Sequence, residues 1–164
     1  MDHLWSPWRW PYVTGTLPPD PDPACLFCRA PGEPVDTSLV VHTSAHAYVL
    51  LNRYPYNNGH LMVLPVRHVA SLVALSPDEL REVAEFIQRA EAVLTAVYHP
   101  HGINVGINLG LSAGAGLRDH LHVHLVPRWN GDTNFMSVVG ETRVLSEELP
   151  VATARLRAAW HAGR

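Results

Sequence analysis

The chain has no apolar run approaching the ~20 residues that span a bilayer. Its opening stretch, MDHLWSPWRWPYVTG, lacks the apolar core of a secretory signal. The expected compartment is the cytoplasm, and no membrane partner is expected. A basic excess is missing too: 12 Lys and Arg stand against 15 Asp and Glu, a formal net charge of -3. That argues against bulk nucleic acid as a partner, because such binders normally carry clustered cations. A small nucleotide needs only a few local donors and stays open. Cysteine is scarce: Cys25 and Cys28 are the whole complement. Two cysteines make no disulfide framework, and a C-x-x-C pair in a reducing compartment suggests a metal or redox site. No internal repeat and no low-complexity tract is present.

What is there suffices for one domain with a sizeable core: 164 residues, 47% of them hydrophobic. Residues 1–37 are proline-rich and aperiodic, and read as an extended arm carrying the CLFC knuckle. Trp5, Trp8 and Trp10 in the arm need a surface to pack on. Residues 38–145 read as the catalytic domain, and 146–164 as a helical tail. SLVVHT and HAYVLLN read as a hairpin turning near Ser44 and Ala45. HLMVLPV is a third strand, with Pro65 suited to an edge or a terminus. Ser76, Pro77 and Glu79 compose a helix start with a capping box. Leu80, Val83, Ala84, Ile87, Ala90, Leu94 and Val97 then recur at helical spacing, until His99-Pro100 and Gly102. INVGIN and HLHVHLV are strands four and five, and GETRVL is a short extended piece. The fold class is α+β: an antiparallel sheet of about five strands, one long helix and a C-terminal helix.

The strongest chemical signal is DHLHVHLVPRW. Successive strand side chains point to opposite faces, so His120, His122 and His124 share one face and Leu121, Val123 and Leu125 the other. Each imidazole carries a donor and an acceptor that want partners. Three in a row suit a metal site, a phosphate site or a nucleophile with helpers.

HLHVHLV resembles the signature of the histidine-triad family, in which three histidines alternate with apolar residues. The resemblance runs from roughly Cys25 to Phe135. LLNRYPYNNGHLMVLPVRH is similar to the family's nucleotide-binding hairpin, GINLGLSAGAG to its phosphate loop, and PRWNGDTNF to the branch that processes diadenosine polyphosphates. The resemblance implies a catalytic set of His122, His124 and His120. His122 is the nucleophile toward an α-phosphate, and His124 contacts the phosphate or assists the leaving group. It also implies Asn52 on the ribose. The loop residues Asn108, Gly114, Ala115 and Gly116 lie against the phosphates, with His124 and Trp129 as further nucleotide contacts. Leu50, Leu61 and Val63 form an adenine slot or simply core. His60 supports the active-site loop. Trp129 stacks on a base, lines the mouth, or packs.

Many family members carry a glutamine in Ala-Gly-Gln before the triad. Here the run is Ala113-Gly114-Ala115-Gly116, which points away from hydrolysis and toward inorganic phosphate as acceptor. Hydrolysis by water, a phosphoramidase or nucleotidylyltransferase of the same fold, and a zinc-stabilised binding module without turnover are the alternatives. The resemblance further implies a structural zinc on Cys25, Cys28, His68 and His120. The competing redox pair lacks the βαβ context such motifs usually have. A homodimer through INVGIN and the long helix is implied as well.

Overall fold

The computed structural model describes residues 25–114, 117, 119–132 and 147–162. The tryptophans of the arm, the GETRVL piece, Ala115 and Gly116 lie outside the described residues. Five strands, β1 (Val40–Thr43), β2 (Ala47–Leu51), β3 (Leu61–Pro65), β4 (Gly102–Ile107) and β5 (Val123–Arg128), make one sheet in the order β1-β2-β3-β5-β4. Every pairing is antiparallel. Among the described residues three α-helices accompany it: α1 (Leu26–Arg29), α2 (Pro77–Tyr98) and α3 (Leu149–Ala162). The α+β expectation holds.

Strand alternation sorts the side chains into two layers. Val49, Leu51, Leu61, Val63, Val123 and Leu125 point to one face, where Val83, Ala90 and Leu94 of α2 and Leu156 and Trp160 of α3 close the main core. Tyr48, Leu50, Met62 and Leu64 point to the other, where Phe27 and Ala30 of the knuckle cover them. The knuckle is thus a lid on the second sheet face. β3 lies in the middle of the sheet, so Pro65 marks a terminus and not an edge.

The long helix starts where its cap residues demand. The Ser76 side chain accepts from Glu79 N–H, and the Glu79 carboxylate accepts from Ser76 N–H at 2.7 Å. The buried face differs from the simple periodic reading. Val83, Ala90, Val93 and Leu94 are buried, whereas Leu80 is 49% exposed and Ala84 is also outside. Only one side of the helix meets the sheet, and Leu80 lies one residue past the stripe that Glu79 begins. The helix ends at His99, which adopts φ 46, ψ 51, in the left-handed region.

Glu79 is 6% exposed and also receives both Nε and an Nη of Arg67 at 2.7 Å. Those donors, led by Arg67 and followed by Ser76, pull its carboxyl from 4.5 down to about 2. A depressed carboxylate contributes stability above its unfolded pKa and loses it as pH falls through the folded one. Glu79→Gln keeps the capping box but loses the charged bonds to Arg67, and is therefore expected to lower stability by about 1–2 kcal/mol at pH 7. It should also flatten the acid limb between pH 4.5 and about 2. Denaturant unfolding of both proteins across that range checks this; an unchanged acid limb would refute it.

Candidate active site

The loop from β2 to β3 and the segment leading into β5 meet at the end of the sheet. The strand proper begins at Val123, so His120 and His122 precede the ladder, a correction to the strand reading of HLHVHLV. The physical reason lies in β3. Pro65 has no N–H to pair, and its carbonyl instead accepts from His120 Nε2 at 2.9 Å. Leu121 N–H bonds Val69 O at 2.6 Å, keeping the lead-in extended.

The three histidines part company there. His122 and His124 line a cleft with Asn52, Asn108 and Gly114. Their ring centroids are 4.9 Å apart. His120 is 1% exposed and faces the cysteines.

Hydrogen bonding assigns the tautomers. His122 Nδ1 lies 2.8 Å from His120 O, an acceptor only, so Nδ1 carries the proton and Nε2 keeps its lone pair. Burial pushes the His122 pKa below the ordinary 6.5, with the bond to His120 O opposing, so the ring is neutral at pH 7. His60 is fully buried and supports this arrangement from behind. Its Nδ1 accepts from Tyr56 N–H at 3.1 Å, which leaves the proton on Nε2. That proton is donated to His124 Nδ1, 2.9 Å away. His124 in its neutral form then carries its own proton on Nε2. The pair His122 and His124 thus combines a bare ring nitrogen with an N–H, which is nucleophile plus hydrogen-bond donor to the departing oxygen.

The loop carrying His60 is fixed from both sides. Gly59 takes φ +74, and a Cβ there would stand 2.6 Å from the Tyr98 ring, so only glycine fits. Asn57 donates to Pro127 O and to Asp132 Oδ2, both at 2.9 Å. Arg128 grips Asp132 from the opposite side at 2.6 and 3.0 Å, and holds its carboxyl far below the usual range.

Asn52 lines the cleft, and its Oδ1 accepts from Tyr54 N–H at 2.9 Å. Of the expected slot residues only Leu50 reaches the cleft. Leu61 and Val63 belong to the core on the opposite face, because Leu50 pairs with Met62 across the hairpin. Met62 is the cleft-lining residue that sequence reasoning missed; the β2–β3 register identifies it, and the sequence does not print the register. Trp129 packs edge to face on Tyr98 with centroids 6.5 Å apart, and does not line the cleft. Phe27, in the middle of CLFC, was also missed, and it lines the cleft beside His122.

Cys25, Cys28, His68 and His120 come together, with their donor atoms all within 4.8 Å of one another. Cys28 Sγ lies 3.3 Å from His68 Nδ1, and both thiols lie 3.5 Å from His120 Nδ1. Sulfur and nitrogen donors on a tetrahedral zinc stand roughly 3.5 Å apart by their usual bond lengths, so the spacing fits. The tautomer fits as well. With Nε2–H given to Pro65 O, His120 turns the lone pair of Nδ1 toward the thiols. Partial burial and then the adjacent Cys25 push the Cys28 thiol up, a pairing that a cation relieves.

A sheet of five antiparallel strands with a paired His122–His124 site at its end defines a histidine-triad nucleotide-processing fold. A HIT domain family model matches residues 33–131, and the chain belongs to that family. Over 98% of its length it is 42% identical to the AP-4-A phosphorylase of Mycobacterium tuberculosis, covering 85% of that protein. It is 32% identical to the asymmetrical bis(5'-nucleosyl)-tetraphosphatase of Schizosaccharomyces pombe, over 60% of this chain and 53% of that one. Among solved structures, a Zn-bound histidine triad family protein of Mycobacterium smegmatis superposes with a TM-score of 0.68 at 26% identity. That match covers 85% of this chain and 94% of the other. A hypothetical histidine triad nucleotide-binding protein of Sulfolobus tokodaii gives the same TM-score at 24% identity, over 84% and 93%. No described helix is long and apolar enough to cross a membrane.

Proposed function

We propose that this protein is a diadenosine tetraphosphate phosphorylase working through a nucleotidyl-histidine on His122. The observation that carries the reading is the bare Nε2 of a buried, neutral His122 beside the Nε2–H of His124, both in a cleft with Asn52, Asn108 and Gly114. Nε2 attacks the α-phosphorus of one adenylyl group. The bond to the bridging oxygen breaks and ATP departs as its anion, with the Nε2–H of His124 donating a hydrogen bond to the leaving oxygen. An oxygen of inorganic phosphate then attacks the same phosphorus, His122 leaves, and ADP forms. Asn52 holds the ribose; Asn108, Gly114 and, by expectation, Ala115 and Gly116 cradle the phosphates. Leu50 and Met62 receive the base.

Cys25, Cys28, His68 and His120 would hold a zinc ion as a structural site, because four protein ligands leave no position for substrate. Bound there, it would supply no chemistry to the reaction and would anchor His120, whose carbonyl orients His122. A homodimer through β4 and α2 fits the edge position of β4, where Val105 is 50% exposed. A cytoplasmic setting suits two thiols that serve as ligands.

The acceptor is the decisive test. Incubation with diadenosine tetraphosphate, with and without inorganic phosphate, should yield ADP plus ATP only when phosphate is present. AMP plus ATP at equal rates in both arms would replace phosphorolysis by hydrolysis, the activity named for the yeast relative. Labelled phosphate must appear in ADP alone.

A further inference from the structure

The metal knuckle and the cleft share a wall. Phe27 sits between the two cysteines and is 5% exposed. Its ring is 5.7 Å from that of His120, a metal-site residue, and 5.2 Å from that of His122, the nucleophile. Phe27 lines the cleft together with Leu26 and Ala30 of the same knuckle. α1 is four residues long, too short to hold its own shape in water. Three things hold it: the bond from Tyr48 Oη to Phe27 O at 2.7 Å, packing on Tyr48, Leu50, Met62 and Leu64, and the donor cluster. Both cysteines flank the residue that meets the substrate space, so ordering them orders that wall.

We propose that metal loading and nucleotide binding are coupled through Phe27, which acts as a positioning residue for the base end of the cleft. The inference rests on the nucleotide reading of that cleft. A nucleotide seated against Phe27 holds α1 down and with it the cysteines, so it tightens the metal. By linkage, metal tightens the nucleotide by the same factor. Coupling of about tenfold lies within the usual range for linked sites.

The test uses the zinc-loaded full chain and AMP as probe. Zinc affinity is measured by chelator competition without AMP and at saturating AMP. Saturation is set for each variant from its own AMP titration. Zinc affinity should rise about tenfold with AMP in the native protein. Phe27→Ala, which keeps all four ligands, should reduce that rise to under about twofold. Phe27→Leu, which keeps most of the wall's bulk, should retain the larger part of it. AMP that binds the native protein without altering zinc affinity overturns the coupling and leaves the nucleotide reading standing. AMP that fails to bind overturns both. Coupling undiminished in Phe27→Ala also overturns the inference, since linkage would then run through global folding and not through this wall.

Discussion

Replacing His122 with alanine is expected to cut cleavage of diadenosine tetraphosphate by at least about 10⁴-fold, while the fold is kept. Removing a covalent nucleophile commonly costs that much or more. The loss should fall on turnover and not on binding, because Asn52, Asn108, Gly114 and the apolar slot are untouched. Intact-mass analysis after rapid acid-free quenching separates this reading from a merely structural one. The native protein should show the added mass of one nucleotidyl group, and the variant none. A variant that turns over within about tenfold of native would remove His122 as nucleophile. His124→Ala should be milder, because a good leaving group such as ATP needs less help from an acid.

Removing the metal should have the second largest effect. Serine at both Cys25 and Cys28 takes two of four ligands from the cluster. A ligand present at a thousand times its Kd stabilises the folded state by about 4 kcal/mol. For a chain of this size each kcal/mol moves Tm by about 2–4 °C, so a fall of roughly 8–16 °C is expected. The same fall should follow chelation of the native protein, and the two treatments should not add. Elemental analysis of protein purified without chelator should find one zinc per chain. A metal-free native protein with the same Tm as the double variant would end the zinc reading.

These two expectations depend on residues that were legible to different degrees. The three triad histidines and the C-x-x-C pair stand out in the sequence because their chemistry is unusual at those spacings, whereas His68 is picked out only by the family resemblance. The element order was legible for the same kind of reason: apolar periods of two and of 3.6 mark strands and helices, and Ser76 and Glu79 mark a helix start. The buried face of α2 was less so, because periodicity places a stripe on a helix and the sheet then decides how much of it is covered. Leu80 shows this, half out in solvent at the rim of its stripe.

By itself the sequence determined the family, the triad and the C-x-x-C pair, since these reside in residue types at short fixed spacings; His68 and His120 joined the cysteines as candidate metal donors through the family resemblance. The resemblance already implied that His120 goes to a metal while His122 attacks and His124 assists, and only the tertiary structure supplied the physical reason for that division. A proline at the end of β3 stops the ladder, so His120 turns to the cysteines while His122 and His124 face the cleft. It also decided that Met62, and not Leu61 or Val63, meets the cleft, because cross-strand register determines which side chains share a face. Likewise the tautomers of His60, His122 and His124 follow from partners far apart in the chain. A proton's position depends on what stands opposite each ring nitrogen, and only folding sets that.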